Sequence, residues 1–251
     1  MFNTLIPVLV IASVVGVGCT AYRRSSHWRS PEFRHINWTL VTLAIGGALA
    51  ETRIGTNLSE LVLYPLTGMR NLDMLFGHLL YAISIYHFLA RALRLRGALD
   101  KYRPLIAGIT AIEMAAMTTI FTEGHLWRND GLLLHTPGIA ANLYWLLMLG
   151  GLGTTLMVAV YHLAVVASVM PGDRISEVFY CAAGTFAIAF HAVNLSVRIP
   201  PMPAMPPDLA TVLFIAINLT ASAGAYAHLL RVTRPATVPL AWVTSPRTRV
   251  D

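Results

Sequence analysis

The residues most capable of chemistry in this chain lie between positions 177 and 198. Glu177, Tyr180, Gly184, Ala187, His191, Asn194 and Arg198 follow one another at spacings of 3, 4, 3, 4, 3 and 4. On a helix those intervals put all seven on one face. The opposite face, with Phe179, Phe186 and Val193, is apolar. An acid, a phenol, an imidazole, an amide and a guanidinium on an otherwise small-residue stripe could line a cavity that holds a ligand. The same stripe could instead be a packing seam knitted by hydrogen bonds. Asp208, Thr211, Asn218 and Ser222 repeat the theme more weakly, and Gly150, Gly151, Gly153, Thr154 and Thr155 would let helices approach closely.

Glu113 is the sharpest isolated signal. It falls near the middle of an apolar run, where an ionised acid exposed to lipid would cost on the order of 3 kcal/mol. It must therefore be neutral, paired or facing a wet cavity. Its functional reading is a proton or cation site; its structural reading is a neutral acid bonded to a neighbouring helix.

Five of the nine histidines, His78, His87, His162, His191 and His228, also fall in apolar runs. Two layers of such histidines would suit a bundle holding two b-type haems, each iron taking two imidazoles. His78 and His87 are nine residues apart, however, which at about 100° per residue sets them on opposite faces of one helix. A single haem b held by His78 and His191 survives that objection and is the alternative to solute binding. A retinal Schiff base needs a lysine within a span, and the only lysine, Lys101, lies between spans. Glu123, His125, Asp130 and His135 share a loop but match no metal-ligand spacing. Phosphate-loop, HExxH, GxSxG and CxxC motifs are absent. The expected activity is therefore non-enzymatic, with no predicted metal.

The elements that must position these groups are legible in the composition. Of 251 residues, 56% are hydrophobic and 12% charged, about half the charge of an ordinary soluble domain, and mean hydropathy is +0.62. Disordered, collagenous and disulfide-framework classes are excluded by the modest glycine, proline and cysteine content. Seven stretches are long and apolar enough to cross a bilayer: about 3–22, 37–55, 72–92, 104–121, 139–168, 176–198 and 208–231. The expected fold is thus an all-α integral membrane protein, a seven-transmembrane-helix bundle over residues 1–231. The fifth stretch is long enough to tilt.

Seven spans alternate the loops between two sides, and the charges sort accordingly. Fourteen of the eighteen basic residues, among them Arg23, Arg24, Arg34, Arg91, Arg94, Lys101, Arg174 and Arg231, fall on one side; Arg53, Arg70, Arg128 and Arg198 fall on the other. The positive-inside rule then places the N-terminus outside and the C-terminus in the cytoplasm. The net charge of +6 needs no nucleic-acid partner. It suits anionic lipids at the cytoplasmic face, and the basic loops could also meet a membrane or cytoplasmic protein partner.

Leu58, Leu61, Val62, Leu63 and Leu66 predict a short helix lying in the membrane interface. Residues 199–207 are proline-dense and should run extended, and 232–251 should form a disordered cytoplasmic tail. The first apolar run lacks a preceding basic residue and a convincing cleavage site, so it should remain as an uncleaved span. Cys19 and Cys181, both inside spans, suit packing better than a disulfide.

The segment from Leu66 to Leu75 (LTGMRNLDML), Asn142-Leu143-Tyr144-Trp145 at the start of the fifth span and the basic loop after the first resemble an uncharacterised family of actinobacterial seven-span membrane proteins labelled as transporters. The resemblance implies a bacterial plasma-membrane protein and brings no catalytic residues. The sequence as a whole predicts a polytopic protein that binds, senses or translocates a small solute or ion through a polar core of Glu113, His191, Asn194, Arg198 and His78. Haem binding, and a non-catalytic structural or regulatory role, are the alternatives.

Overall fold

A computed structural model describes residues 2–50, 59–128, 136–169, 174–196 and 207–233. These residues form helices and short turns, with no strand among them. The helices are α1 (Phe2–Arg23), α2 (Pro31–Ala50), α3 (a π-turn, Ser59–Leu63, running into Tyr64–Thr67), α4 (Leu72–Leu95), α5 (Leu99–Glu123), α6 (Ile139–Val169), α7 (Arg174–Ser196) and α8 (Pro207–Thr233). Six of them, α1 and α4 to α8, contain stretches long and apolar enough to cross a membrane. That is the inventory of a multi-pass membrane protein. The 20-residue α2 is of similar length but opens on Glu32, Arg34, His35 and Asn37. The predicted second span, with Glu51 and Arg53, continues beyond the described residues, as do most of the proline-dense connection and the tail.

Helix ends follow local chemistry. Pro31 and Pro207 open α2 and α8, where a missing N–H costs no intrahelical bond. Gly97, with φ +67°, closes α4 in a Schellman turn: its N–H donates to Arg94 O, and the Ala98 N–H donates to Leu93 O, both at 2.9 Å. That turn sends α5 back along α4. The short α3 appears where the leucine spacing predicts a helix, and it leaves Leu61 and Leu66 more than 70% exposed. Cys19 and Cys181 are free thiols.

Six helices close into a ring in the order α1, α2, α4, α6, α7, α8 and back to α1. The tightest seams are α2 with α4 and α7 with α8. The fifth helix stands outside the ring against α4 and α6. Small residues allow the closest crossing. A side-chain carbon at Gly77 would stand 2.8 Å from the Ala50 backbone nitrogen and 2.9 Å from Gly46 O. Neither backbone atom can swing aside, so Gly77→Ala should part α2 from α4 and cost about 2 kcal/mol. Thermal unfolding of purified protein in detergent measures this, and a wild-type midpoint would refute the crossing.

Candidate functional site

The ring borders an open-mouthed cavity between α2, α4, α6, α7 and α8, with a volume of about 80 Å³. The 3–4 stripe on α7 supplies one wall: Tyr180, Gly184, Ala187 and His191 all line it. Along α7, Tyr180 and His191 are eleven residues apart, roughly 16 Å of rise. The cavity is therefore longer than a solvated ion requires. Its other walls are largely apolar, with Leu40, Leu43, Phe88 and Phe214 prominent and Thr39 and Ser84 as small polar exceptions. The Ser84 hydroxyl already donates to Thr39 O at 3.1 Å, tying α4 to α2.

Polarity concentrates at one end. Arg91 on α4, 4% exposed, lines the cavity and forms an ion pair with the fully buried Glu177 of α7. Its guanidinium also lies 5.3 Å from the Tyr180 ring centroid, a cation–π distance. Arg91 Nε is buried with no hydrogen-bond partner. Close by, Arg24 follows α1 and is wholly buried. Its Nε donates to Asn37 Oδ1 at 2.8 Å, its Nη1 to the Ala225 carbonyl and its Nη2 to His228 Nδ1 at 3.4 Å. The Phe33 ring lies 4.7 Å from the guanidinium. Burial lowers the Arg24 pKa; Tyr180 opposes that shift and Arg91 adds to it. An arginine starts so high that the group stays charged.

These contacts change the meaning of two basic residues. By sequence Arg24 and Arg91 belong to the loop charges that set topology; in the fold both turn inward and join four helices. A signal for Arg91 exists in the sequence, because Tyr81, Ser84, Phe88 and Arg91 repeat at 3, 4 and 3. All four line the cavity. Arg24 carries no comparable spacing signal, since it follows the end of α1 and its partners come from α2 and α8.

The predicted site residues divide between separate places. His78 and His191 come within electrostatic reach of each other. His78 Nδ1 is engaged with the Tyr144 hydroxyl at 2.8 Å, and the rings of Tyr81, Tyr144 and Trp145 surround it with centroids 6.5, 5.7 and 5.1 Å away. His191 lies against the backbone of Leu149, inside a π-turn of α6 over Leu146–Gly151. His191 Nδ1, buried and without a partner, faces Gly153, where a side-chain carbon would lie 3.2 Å away. Asn194 turns back on its own helix, its Nδ2 donating to Phe190 O at 2.8 Å. Arg198 lies outside the described residues.

Glu113 does not join this group. It rests on Gly151, where a side-chain carbon would stand 2.6 Å from Glu113 Oε1, and its Oε2 is buried without a partner. Gly151 and Gly153 are two residues apart and so point to nearly opposite sides of α6. His191 meets α6 from inside the ring, while Glu113 meets it from the outer helix α5. The three remaining intramembrane histidines also separate. His87 Nδ1 lies 3.1 Å from His35 Nδ1, His162 Nδ1 lies 2.8 Å from Arg96 Nη1, and His228 belongs to the Arg24 cluster. Of the loop residues weighed as metal ligands, Asp130 and His135 lie outside the described residues. Among the described residues no group of three histidine, cysteine, aspartate or glutamate side chains converges.

The cavity is thus a mostly apolar chamber with charge at one end. Compared with family models, with curated proteins and with solved structures, the chain matches none.

Proposed function

We propose that this is a seven-span protein of the bacterial plasma membrane, N-terminus outside and C-terminus cytoplasmic, that binds a small solute inside its helical ring and senses or translocates it. Counting α2 as the seventh span closes the ring. It also places Arg24, Arg34, Arg94, Arg96 and Lys101 at one end, as a positive-inside orientation requires. The single observation that carries solute binding is the chamber itself, with the α7 stripe as its wall. A stripe used only as a packing seam would leave no such volume, because helix interfaces normally close to crystal-like density. The polar core used for binding is accordingly narrower than the sequence suggests. Arg91, Tyr180 and His191 line the chamber, whereas Glu113 stands outside it.

The test fills the chamber. Ala187→Phe places a ring in the apolar middle, where space exists to receive it. Wild-type protein purified from membranes should carry about one equivalent of a small molecule, extractable with organic solvent and visible by mass spectrometry. The filled variant should lose at least nine-tenths of it while unfolding at a similar temperature. Equal recovery from both proteins would refute binding in the chamber. A reporter fused after residue 233, active only in the cytoplasm, checks the orientation separately.

A further inference from the structure

We propose that this chain binds one anionic glycerophospholipid, its headgroup phosphate held at one end of the bundle by Arg34 of α2, Arg94 of α4 and Arg103 of α5. None of the three lines the chamber, so the site stands apart from that reading. It gives a place to the anionic lipids that the net charge only suits in general. The first support is convergence. All three guanidiniums come within electrostatic reach of one side chain, the buried His35 of α2, although they belong to three helices. His35 is itself tied to α4, its Nδ1 lying 3.1 Å from His87 Nδ1. Arg34 reaches His87 as well. On α4, His87 and Arg94 are seven residues apart and so share a face. The imidazole pair thus holds Arg34 and Arg94 on neighbouring helices beside one another.

The second support is charge without a partner. Arg34, Arg94 and Arg103 are exposed, and among the described residues none of the three forms an ion pair. Arg91, also within reach of His35, is committed to Glu177. Even set against Asp100 and Glu32, the acids near the starts of α5 and α2, the three arginines leave the cluster positive. Like charges held together repel one another, and a phosphate offsets them at once. Arginine suits that anion, since its planar fork presents paired donors to two phosphate oxygens. The third support is what lies deeper. Trp38 follows Arg34 by one turn of α2, about 6 Å along the axis. It is 39% exposed, and its ring stacks on His87 with an interplanar angle of 13° and centroids 6.0 Å apart. Arginines at the bundle end and an exposed indole one turn inward match the phosphate and glycerol levels of a phospholipid, because indoles favour the membrane interface. A soluble anion would use the arginines alone.

Native mass spectrometry of the full chain, delipidated in a mild detergent, tests this with phosphatidylglycerol and phosphatidylcholine of identical acyl chains as the probes. Wild-type protein should hold one phosphatidylglycerol at a concentration about tenfold below that needed for phosphatidylcholine. Arg34→Gln, Arg94→Gln and Arg103→Gln combined should abolish that preference in protein that unfolds at a similar temperature, as exposed substitutions allow. Arg23→Gln, Arg29→Gln and Arg231→Gln combined remove the same charge from the same end and should leave the preference intact. Equal loss in the two triple variants would overturn the site and leave a diffuse surface potential in its place. Equal retention of both lipids by wild-type protein would overturn the anionic headgroup. Displacement of phosphatidylglycerol by inorganic phosphate at the same concentration would assign the arginines to a soluble anion and overturn the lipid.

Discussion

Arg91→Met on its own should lower the stability of the purified protein by about 4 kcal/mol, and adding Glu177→Met should restore most of that loss. The asymmetry follows from burial. Glu177 is fully buried and Arg91 nearly so, so each charge gains strongly from the other. Removing the arginine leaves a carboxylate in the middle of α4, α7 and α8 with its principal counter-charge gone. Removing both exchanges an ion pair for two flexible apolar side chains of similar length, and such exchanges are commonly neutral or stabilising. The two residues lie on different helices, 86 positions apart in sequence, so a double-mutant cycle isolates their coupling. Thermal unfolding of the four proteins in one detergent supplies it. Additive effects, with the double variant as unstable as the sum of the singles, would show that the pair does not form.

Arg24→Met should be the next most damaging change, costing about 3 kcal/mol. The side chain donates to Asn37 Oδ1 on α2 and to the Ala225 carbonyl on α8, closing the ring where α1 ends. Methionine fills much of the same space but leaves both acceptors unpaired, and each buried orphan costs about 1–3 kcal/mol. Arg24→Lys should fall between. An ammonium keeps the charge, but it cannot reproduce the planar fork that reaches two helices in fixed directions. If Arg24 were a solvated loop charge, as its place in the sequence suggests, neither substitution would move the unfolding midpoint appreciably. A shift in both, with lysine the milder, identifies the buried role.

Much of the architecture is legible before any coordinates. Apolar runs long enough for a bilayer mark six of the helices, with limits within a few residues of those observed except at the start of α5, because hydropathy and length are local properties. The 3–4 spacing of Tyr180, Gly184, Ala187 and His191 puts them on one face for the same reason: helix geometry is fixed by the backbone. The second stretch is less sharply written, since His35 and Asn37 near the start of α2 are polar groups that meet His87 and Arg24 only in the folded ring.

The sequence by itself therefore determined an all-helical, membrane-suited chain and the helix face that must avoid lipid. Tertiary structure alone decided that this face borders a cavity and that Arg24 turns inward. It alone placed Glu113 and His191 on opposite sides of α6. The physical reason is that periodicity specifies which way a side chain leaves its own helix, whereas its partner is set by the order in which helices close the ring. Glu113 and His191 look equivalent in sequence, each a polar group within an apolar run. Only the exclusion of α5 from the ring separates them.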